Sequence, residues 1–570
     1  MHQEHVNIPS LGISYGNPCP GRDDMAGLLG VIGSGAMTNP ISEISDAKCI
    51  LAIGTNTTEA HPIIGLRVKK ATQNGAKLIV ANPRYIDLCR FADIWLQQWP
   101  GSDVALLMGM SRVIVDEGLV DTAFIEERCE NFDEFKKSLN NFDLSMVERI
   151  TGVPKGKIVD AARIYAGSKP ATTLWSMGIT QHSHGTDNVF ALANLVMLTG
   201  NIGKPSSGVN PLRGQNNVQG ACDMGCLPSV YPGYQMVSDE TIRKKFETAW
   251  GVNLNPESGL TLTEIWPAAV LGKIKALYVI GVDPVLSVAD SKQVREGLKT
   301  IEFIIAQDIF LNETAKFADI VLPAVSFAEK DGTFTNSERR IQRVRKAIEP
   351  VGNSRPDWWI TCQIARRLGG KGFDFNHPAE IFEEIASLTP SYKGISYERL
   401  ENESLQWPCP NREHPGTPIL HIGQFRTTNG KGKFTPLEYK PSAEIPDKVY
   451  PLVLTTGRCL YQYHGTLSRK VDGLNILMAQ EQVEMNPKDA TKLRICDGEM
   501  VRVVSRRGEV MAKAKVTEDS PPGLVSMTFH FAESPTNVLT NPALDPIAKT
   551  PETKVCAVRI EKLRNNAENK

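Results

Sequence analysis

Cysteine is scarce in this chain and badly placed for holding metal. The 570 residues contain 11 cysteines, at 19, 49, 89, 129, 222, 226, 362, 409, 459, 496 and 556. The number is odd, the positions are scattered, and no Cys-x-x-Cys pair occurs. Only Cys222 and Cys226 are close, which is far short of a metal signature. An iron–sulfur cluster takes about four Cys ligands, so no [4Fe-4S] ligand set is evident, and reduced, mostly buried thiols are expected. Charge of either sign is also not in excess: 63 Lys and Arg stand against 64 Asp and Glu. That removes the electrostatic case for nucleic acid or an anionic membrane as partner. No apolar run approaches the ~18–20 residues that span a bilayer. The start, Met1-His2-Gln3-Glu4-His5, lacks a basic region followed by an apolar one, so no signal peptide is read and a cytoplasmic location is expected.

What is present is an ordinary globular composition, 41% hydrophobic and 22% charged, in a chain long enough for about three or four domains. After a Gly-rich stretch (Gly30, Gly33, Gly35), the apolar run Cys49-Ile-Leu-Ala-Ile53 reads as a buried parallel strand. It ends in Gly54-Thr-Asn56. A helical pattern covers residues 63–74. A second strand, Lys77-Leu-Ile-Val-Ala81, ends in Asn82-Pro83-Arg84 and is followed by Phe91-Ala-Asp-Ile-Trp-Leu96 and Gly101-Ser-Asp103. The same order returns about 225 residues later. Ala276-Leu-Tyr-Val-Ile280 ends in Gly281-Val-Asp283, a helical pattern covers 291–298, Glu302-Phe-Ile-Ile-Ala306 ends in Gln307-Asp308, and Phe317-Ala-Asp-Ile-Val-Leu322 follows. Gly54 precedes Asn82 by 28 residues and Gly281 precedes Asp308 by 27. Two matches, Ile-Gly-x-Asn/Asp and Phe-Ala-Asp-Ile, at nearly equal spacing indicate a duplicated α/β unit.

In a doubly wound sheet, ligands bind beyond the carboxyl ends of the parallel strands. Glycine there leaves room for a ligand, and Asn82, Asp283 and Asp308 at neighbouring strand ends offer partners for a ribose hydroxyl or a purine edge. The alternative is that they are turn glycines and helix caps. Gly-x-Gly-x-x-Gly is absent at these strands, which disfavours an ordinary NAD-type domain. Between the copies lie Ser176-Met-Gly-Ile-Thr180-Gln181-His182 and the loop from Gly208 to Asn217. That loop is too rich in Gly, Asn and Gln to form a hydrophobic core, and its amides and one guanidinium suit a polar ligand. Pro408, Pro410, Pro415 and Pro418 mark a linker or irregular crossing. Short β-type segments then dominate: 452–456, 500–505, 509–516 and 523–529, with Arg507-Gly508 as a hairpin turn. They read as a barrel.

The stretch Gly208-Val-Asn-Pro-Leu-Arg213-Gly-Gln-Asn-Asn-Val-Gln-Gly-Ala-Cys-Asp-Met-Gly225 closely resembles the large subunit of molybdopterin-dependent formate dehydrogenases. So do Gly33-Ser-Gly-Ala-Met-Thr-Asn39, His61-Pro62, Lys330-Asp-Gly-Thr-Phe-Thr-Asn336 and Asn541-Pro-Ala-Leu-Asp-Pro-Ile-Ala-Lys549. The resemblance implies an α/β chain of two related doubly wound domains in a pseudo-two-fold arrangement plus a C-terminal β-barrel. The expected divisions are an atypical segment 1–25, a first dinucleotide half 26–207, a second half 208–440 and a dinucleotide-binding barrel 441–565. It implies a molybdenum or tungsten ion held by two pyranopterin guanine dinucleotides, which oxidises formate to CO2 reversibly and passes electrons to a subunit with iron–sulfur or flavin centres. Gly54, Asn56, His61, Asn82, Arg84, Gly101 and Asp103 are implied at one dinucleotide, and Gly281, Asp283, Gln307 and Asp308 at the other. Met177, Gly178, Gln181, Gly214 and Gln215 are implied nearer the pterins. Thr456, Gly457, Arg458, His464, Ser468, Arg469, His530, Asn537, Asn541 and Lys549 are implied on the barrel side. Arg213 matches the formate-orienting arginine, whose planar fork suits a carboxylate. The competing reading for Arg213 is a structural arginine on a cofactor phosphate. His182 and His184 read as packed or surface residues rather than acid–base groups.

At the front the sequence departs from the pattern it resembles. The segment from Cys19 to Gly27 stands where the family carries Cys or selenocysteine, then His, then a Pro-Ser/Thr-Val-Ala-Gly-type run. Cys19 lies one residue upstream, and Pro20 replaces the His. Three readings stay open: Cys19 still ligates the metal, a thiolate being a good soft ligand; Cys19 is incidental; or the chain is an N-terminally incomplete fragment or has a misread start. The expectation is the architecture and much of the cofactor site of a formate dehydrogenase, with independent activity in question. A nitrate-reductase-like molybdopterin enzyme and a non-catalytic scaffold subunit of a redox complex are the alternatives.

Overall fold

A computed structural model describes residues 21–463 and 468–563; Cys19 and His464 lie outside the described residues. The described chain divides into two compact units. One comprises residues 21–214, 286–292 and 419–563, and the other comprises 215–285 and 293–418.

The first unit is built on a five-stranded parallel sheet. Its strands are β1 (Cys49–Ile53), β2 (Lys77–Ala81), β3 (Ile94–Leu96), β4 (Ala171–Trp175) and β5 (Gly208–Pro211), in the order β3-β2-β1-β4-β5. Both faces are covered. Cys49, Leu51 and Ile53 point into one apolar core and Ile50 and Ala52 into another, as the two-residue period of a strand requires. This is why the run reads as uniformly apolar rather than alternating. The first core also holds α1 (Gly21–Ile32), α3 (Asp103–Asp116), α4 (Lys155–Gly167) and α5 (Gly185–Leu198). The second core takes the buried face of α2 (Pro62–Gln73). The strand order reverses between β1 and β4, and that switch point is where a doubly wound sheet opens a crevice.

The same unit carries a closed six-stranded barrel. Its strands are Leu452–Thr456, Gln482–Met485, Met500–Val504, Glu509–Val516, Leu524–Met527 and Cys556–Lys562. Leu454, Val483, Val501, Ala512, Val525 and Val558 fill its interior. Closure leaves no unpaired edge.

The second unit contains a three-stranded parallel sheet: β6 (Ala276–Ile280), β7 (Phe303–Asp308) and β8 (Ile320–Pro323), ordered β8-β7-β6. The repeated motifs acquire a physical meaning here. Gly54 N–H donates to Ala81 O at 3.0 Å, and Gly281 N–H donates to Gln307 O at 2.8 Å. Both glycines have positive φ, +56° and +63°. The aspartates of Phe-Ala-Asp-Ile also act alike. Asp93 accepts from Leu78 N–H at 2.9 Å and Asp319 from Ile304 N–H at 2.7 Å. Each carboxylate ties its own strand to the neighbouring one, so that half of the repeated signal is structural.

One expectation is corrected. The Gly/Asn-rich stretch begins as a fully buried strand, Gly208–Pro211. Asn210 is tolerated there because its amide donates to Thr172 Oγ1 at 2.8 Å and accepts from Asn39 N–H at 3.2 Å. A buried polar side chain costs little once its partners are supplied.

In the second unit, Asp223 is buried and accepts four hydrogen bonds. They come from Tyr392 Oη and Trp407 Nε1 at 2.6 Å and from Tyr234 Oη and Gln219 Nε2 at 2.8 Å. Burial raises its pKa, opposed by those donors. Asp223→Ala strands the four donors and is expected to cost about 3 kcal/mol or more, read as a lower midpoint in denaturant unfolding. An unchanged midpoint contradicts the role.

Candidate active site

Beyond the carboxyl ends of β1 and β4, a half-open cleft of about 130 Å³ lies within the first unit. It is lined by the ends of the sheet strands and by the barrel strands Leu452–Thr456 and Leu524–Met527. Its floor depends on two glycines in contact. Gly178 N–H donates to Gly54 O at 3.0 Å, and a Cβ on Gly178 would lie 2.5 Å from that oxygen and 2.6 Å from Gly54 Cα. A side chain at Gly178 would therefore force the strand ends apart.

Of the residues expected from the sequence, Gly54, Asn56, Asn82, Arg84, Asp103, Met177, Gly178, Thr456, Gly457 and Arg458 all line this cleft. Asn56, at the start of the short helix Thr57–Ala60, makes no side-chain cap bond, and its Oδ1 is buried without a partner. Thr55 Oγ1, Gln98 Oε1, Arg84 Nε and Arg458 Nε are buried without partners as well. Buried polar atoms are normally paired, so a set of orphans around one cleft marks the place of a polar ligand. Arg84 is fixed by an ion pair with Glu484, and Gly457 passes close to its guanidinium.

Asp103 opens helix α3 and is buried, which lifts its pKa to about 6 against hydrogen bonds from Gln98 Nε2 and the chain near Gly101. His182 also lines the cleft, and burial pushes its pKa down to about 3. The neutral ring donates from Nε2 to Gly178 O at 2.9 Å, while Nδ1 is left without a partner. Asp103 and Glu552 carboxylate oxygens stand 3.9 Å from its two nitrogens, too far for hydrogen bonds. His184 stacks on it with ring centroids 5.6 Å apart.

Sequence reasoning missed Lys554, Glu59, Gln98, Thr455 and Ser526, all on the cleft wall. Lys554 is the most telling. It is buried, and its Nζ donates to Thr456 O at 2.8 Å and to Thr456 Oγ1 at 3.2 Å. A lysine two residues before the largely buried strand Cys556–Lys562 is the signal that could have found it. Burial lowers its pKa to about 8. Its folded pKa lies below the unfolded one, so its stability contribution is present at high pH and is lost as pH falls through about 8. Between pH 7 and pH 10 the ligand-free chain is expected to gain about 3 kcal/mol from this group. Denaturant titrations of wild type and Lys554→Met check this; an equal gain in both contradicts it.

The remaining expected residues lie elsewhere. In the first unit, His61 Nε2 meets Arg213 O at 2.7 Å, and Gln181 Oε1 accepts from Thr553 Oγ1 at 2.8 Å. A Cβ on Gly101 would collide with Ser442, whereas one on Gly214 would meet nothing within 4 Å. Asn537 Nδ2 donates to Leu286 O at 2.6 Å, Asn541 Nδ2 donates to Glu552 Oε2 at 3.0 Å, and Lys549 has a φ of +60°. Ser468 Oγ contacts Tyr463 O, and Arg469 pairs with Glu533 and lies over the Phe531 ring. His530 is buried with both ring nitrogens unpartnered, and burial with the nearby Arg469 and Arg458 lowers its pKa to about 3. Gln215, Gly281, Asp283, Gln307 and Asp308 belong to the second unit. There Asp283 accepts from Thr314 N–H and Oγ1, Asp308 from Ile309 N–H and Asn312 Nδ2, and Gln307 Nε2 donates to Asp357.

Arg213 is almost fully buried. Its NH1 lies 2.8 Å from Asp24 Oδ2, and its NH2 donates to Gly35 O at 2.8 Å. Asp24 sits on α1 and also accepts from Trp175 Nε1 at 2.6 Å. Among the described residues, no group of three or more His, Cys, Asp or Glu side chains is arranged to hold a metal ion, and no helix is long and apolar enough to cross a membrane.

Residues 13–367, more than half of the chain, match the family described as Molybdopterin oxidoreductase. The chain belongs to that family. Residues 452–557, which include most of the barrel, match the Molydopterin dinucleotide binding domain. Among relatives of this molybdopterin oxidoreductase is the F420-dependent formate dehydrogenase subunit alpha of Methanocaldococcus jannaschii. It is 50% identical over 95% of this chain and 80% of its own length. Formate dehydrogenase H of Escherichia coli is 41% identical over 94% of this chain and 76% of its own. A solved structure, acetylene hydratase from Pelobacter acetylenicus, shares the fold with a TM-score of 0.77 at 21% identity, covering 96% of this chain and 81% of that one.

Proposed function

We propose that the chain is the catalytic subunit of a formate dehydrogenase, oxidising formate to CO2 reversibly at a molybdenum or tungsten centre carried by pyranopterin guanine dinucleotides. The observation that carries this reading is 41–50% identity, over about 95% of the chain, to proteins named as formate dehydrogenases or their alpha subunits. The donor set of the cleft fits a dinucleotide end. Asp103 offers acceptor oxygens for ring N–H groups, Asn56 and Asn82 offer amides for hydroxyls, and Arg84, Arg458 and Lys554 offer cations for phosphates.

When bound, the metal cofactor accepts the two electrons that leave as formate becomes CO2 and a proton. The chain's own residues do the rest. Arg213 provides the guanidinium that draws in and orients the small carboxylate. Gly54 and Gly178 keep the strand ends close enough to seat the cofactor without a side chain in the way. His182, held neutral by burial, contributes a hydrogen-bond donor that is already spent on Gly178, which keeps Met177–Thr180 in place. Electrons leave to a partner subunit with iron–sulfur or flavin centres.

Metal and pterin analysis of the purified chain, with formate-dependent dye reduction by the holoprotein, tests the reading. Bound molybdenum or tungsten, pterin, and dye reduction driven by formate are expected, with no oxidation of reduced dye by nitrate. A protein that binds the cofactor yet neither binds nor oxidises formate overturns it.

A further inference from the structure

We propose that a surface lobe between the barrel strands Leu452–Thr456 and Gln482–Met485 is a self-association face, which docks two-fold against the same lobe of a second copy of this chain. The lobe, residues 460–461 and 470–477, is built inside out. Its polar groups are turned inward and already bonded. Gln462 is buried, and its Nε2 donates to Leu474 O at 3.3 Å and to Met478 O at 3.1 Å. Ser468 is buried too, its Oγ accepting from Tyr463 N–H at 2.9 Å, and Asn475 Nδ2 donates to Arg469 O at 3.0 Å. These bonds hold residues 460–463 against the short helix Asp472–Leu477, which buries none of its own residues. The apolar groups face water instead. Ile476 is 83% exposed, Leu477 58%, Leu460 50%, Val471 46% and Tyr461 45%. A single exposed apolar side chain is ordinary. Five on one lobe leave roughly 500 Å² of apolar surface in water, near the upper end of what a monomer presents.

The charges and the area select the occupant. Lys470 and Asp472 flank Val471, both are exposed, and neither enters an ion pair among the described residues. Arg469 is already paired with Glu533. A lipid surface calls for an excess of cations, whereas Lys470 and Asp472 supply one charge of each sign. A two-fold contact needs a patch that complements itself. One cation and one anion on either side of Val471 meet that need, because Lys470 of each copy then faces the partner's Asp472. The whole chain has a formal net charge of −1, so two copies do not repel each other at a distance. Two such lobes together bury about 1,000 Å² of apolar surface, the size at which a specific interface becomes stable.

Sedimentation velocity of the full chain, from sub-micromolar to tens of micromolar, tests this on wild type, Ile476→Glu/Leu477→Glu, Lys470→Glu and Lys470→Glu/Asp472→Lys. Thermal unfolding is run alongside. All four positions are exposed, so the melting temperature of the monomer is expected to hold. Wild type is expected to form a dimer in the micromolar range, and Ile476→Glu/Leu477→Glu to stay monomeric throughout. Lys470→Glu sets like charges against each other twice per dimer and is expected to weaken association at least tenfold. Adding Asp472→Lys restores opposite charges across the axis and is expected to recover most of that loss. The charge reversals carry the test by themselves if the glutamate pair melts lower. A wild type that stays monomeric at tens of micromolar overturns the proposal, as does a dimer that survives Ile476→Glu/Leu477→Glu with unchanged affinity. Failure of Asp472→Lys to recover association overturns it too, since Lys470 then does not face the partner's Asp472. A monomer that instead floats with phosphatidylserine vesicles, and no longer does so as Ile476→Glu/Leu477→Glu, overturns it in favour of a lipid surface.

Discussion

Gly178→Val is expected to yield a chain that retains less than about a tenth of the wild-type molybdopterin dinucleotide and melts several degrees lower. A Cβ at this position would lie 2.5 Å from Gly54 O and 2.6 Å from Gly54 Cα. Both are backbone atoms, so no side-chain rotation relieves the contact. Gly54 cannot retreat easily, because its φ is +56° and its N–H is held by Ala81 O. The variant must separate the ends of β1 and β4, at a cost of about 3 kcal/mol in a packed interior. That separation occurs at the crevice where Gly54, Met177 and Gly178 line the cleft, so cofactor seating is lost before the fold is. Gly281→Ala is the control. Gly281 ends the equivalent strand of the second unit with φ +63°, and a Cβ there meets nothing within 4 Å. It should lose only the backbone strain of a left-handed residue, about 1 kcal/mol. Pterin extraction and thermal melts of both variants decide the matter. Full cofactor content in Gly178→Val sinks the argument.

That contrast marks what a sequence discloses and what it withholds. Ile-Gly-x-Asn/Asp recurs at both strand ends, and its geometry recurs too, yet only one of the two glycines is pressed against another segment. Spacing reveals the turn and says nothing of the segment that crosses it. The strands Cys49–Ile53, Lys77–Ala81, Leu452–Thr456 and Glu509–Val516 were legible to the residue, because burial on both faces or strict alternation leaves a plain apolar signature. Phe91-Ala-Asp-Ile-Trp-Leu96 was legible only in part. Asp87–Phe91 forms a 3-10 turn, and the strand begins at Ile94, once Asp93 has pinned the chain to Leu78. Gln482–Met485 and Cys556–Lys562 escaped notice because their outward residues are Gln, Glu, Arg and Lys, which mimic a polar loop until the barrel supplies partners.

The site divides in the same way. Gly54, Asn56, Asn82, Arg84 and Met177–Gly178 follow strands directly, and a doubly wound sheet aims such positions at its ligand. Lys554, Glu59 and Gln98 arrive from a strand entry, a short helix and a loop, with no periodic signal to single them out. The expected residues of the second unit were found at strand ends as well, but Asp283 and Asp308 spend their oxygens on nearby N–H groups. A carboxylate at a strand end serves a turn and a ligand equally well in sequence. The partners in the folded chain distinguish them.

Arg213→Gln is expected to lower formate affinity at least a hundredfold and to destabilise the chain by about 3 kcal/mol, a typical cost of breaking a buried ion pair. The two losses have different origins. Formate loses the charged fork proposed to hold its carboxylate. The fold loses the cation that made a buried Asp24 tolerable, and an uncompensated buried carboxylate is the costly product. The pH dependence separates them further. Asp24 already has a folded pKa near 6, above its unfolded value, and removing Arg213 takes away its strongest opposing pull and raises that pKa further. Stability is therefore retained at low pH, where Asp24 is protonated, and is lost as pH rises through the folded pKa. Adding Asp24→Asn to Arg213→Gln removes the buried charge, because replacing both members of a buried pair is nearly neutral where removing one is not. The double variant is expected to regain most of the lost stability and none of the formate affinity. Denaturant unfolding at pH 5.5 and pH 8, with formate dialysis on the same preparations, measures both. If the double variant recovers formate binding along with stability, Arg213 acts only as a structural partner of Asp24 and the substrate carboxylate is held elsewhere.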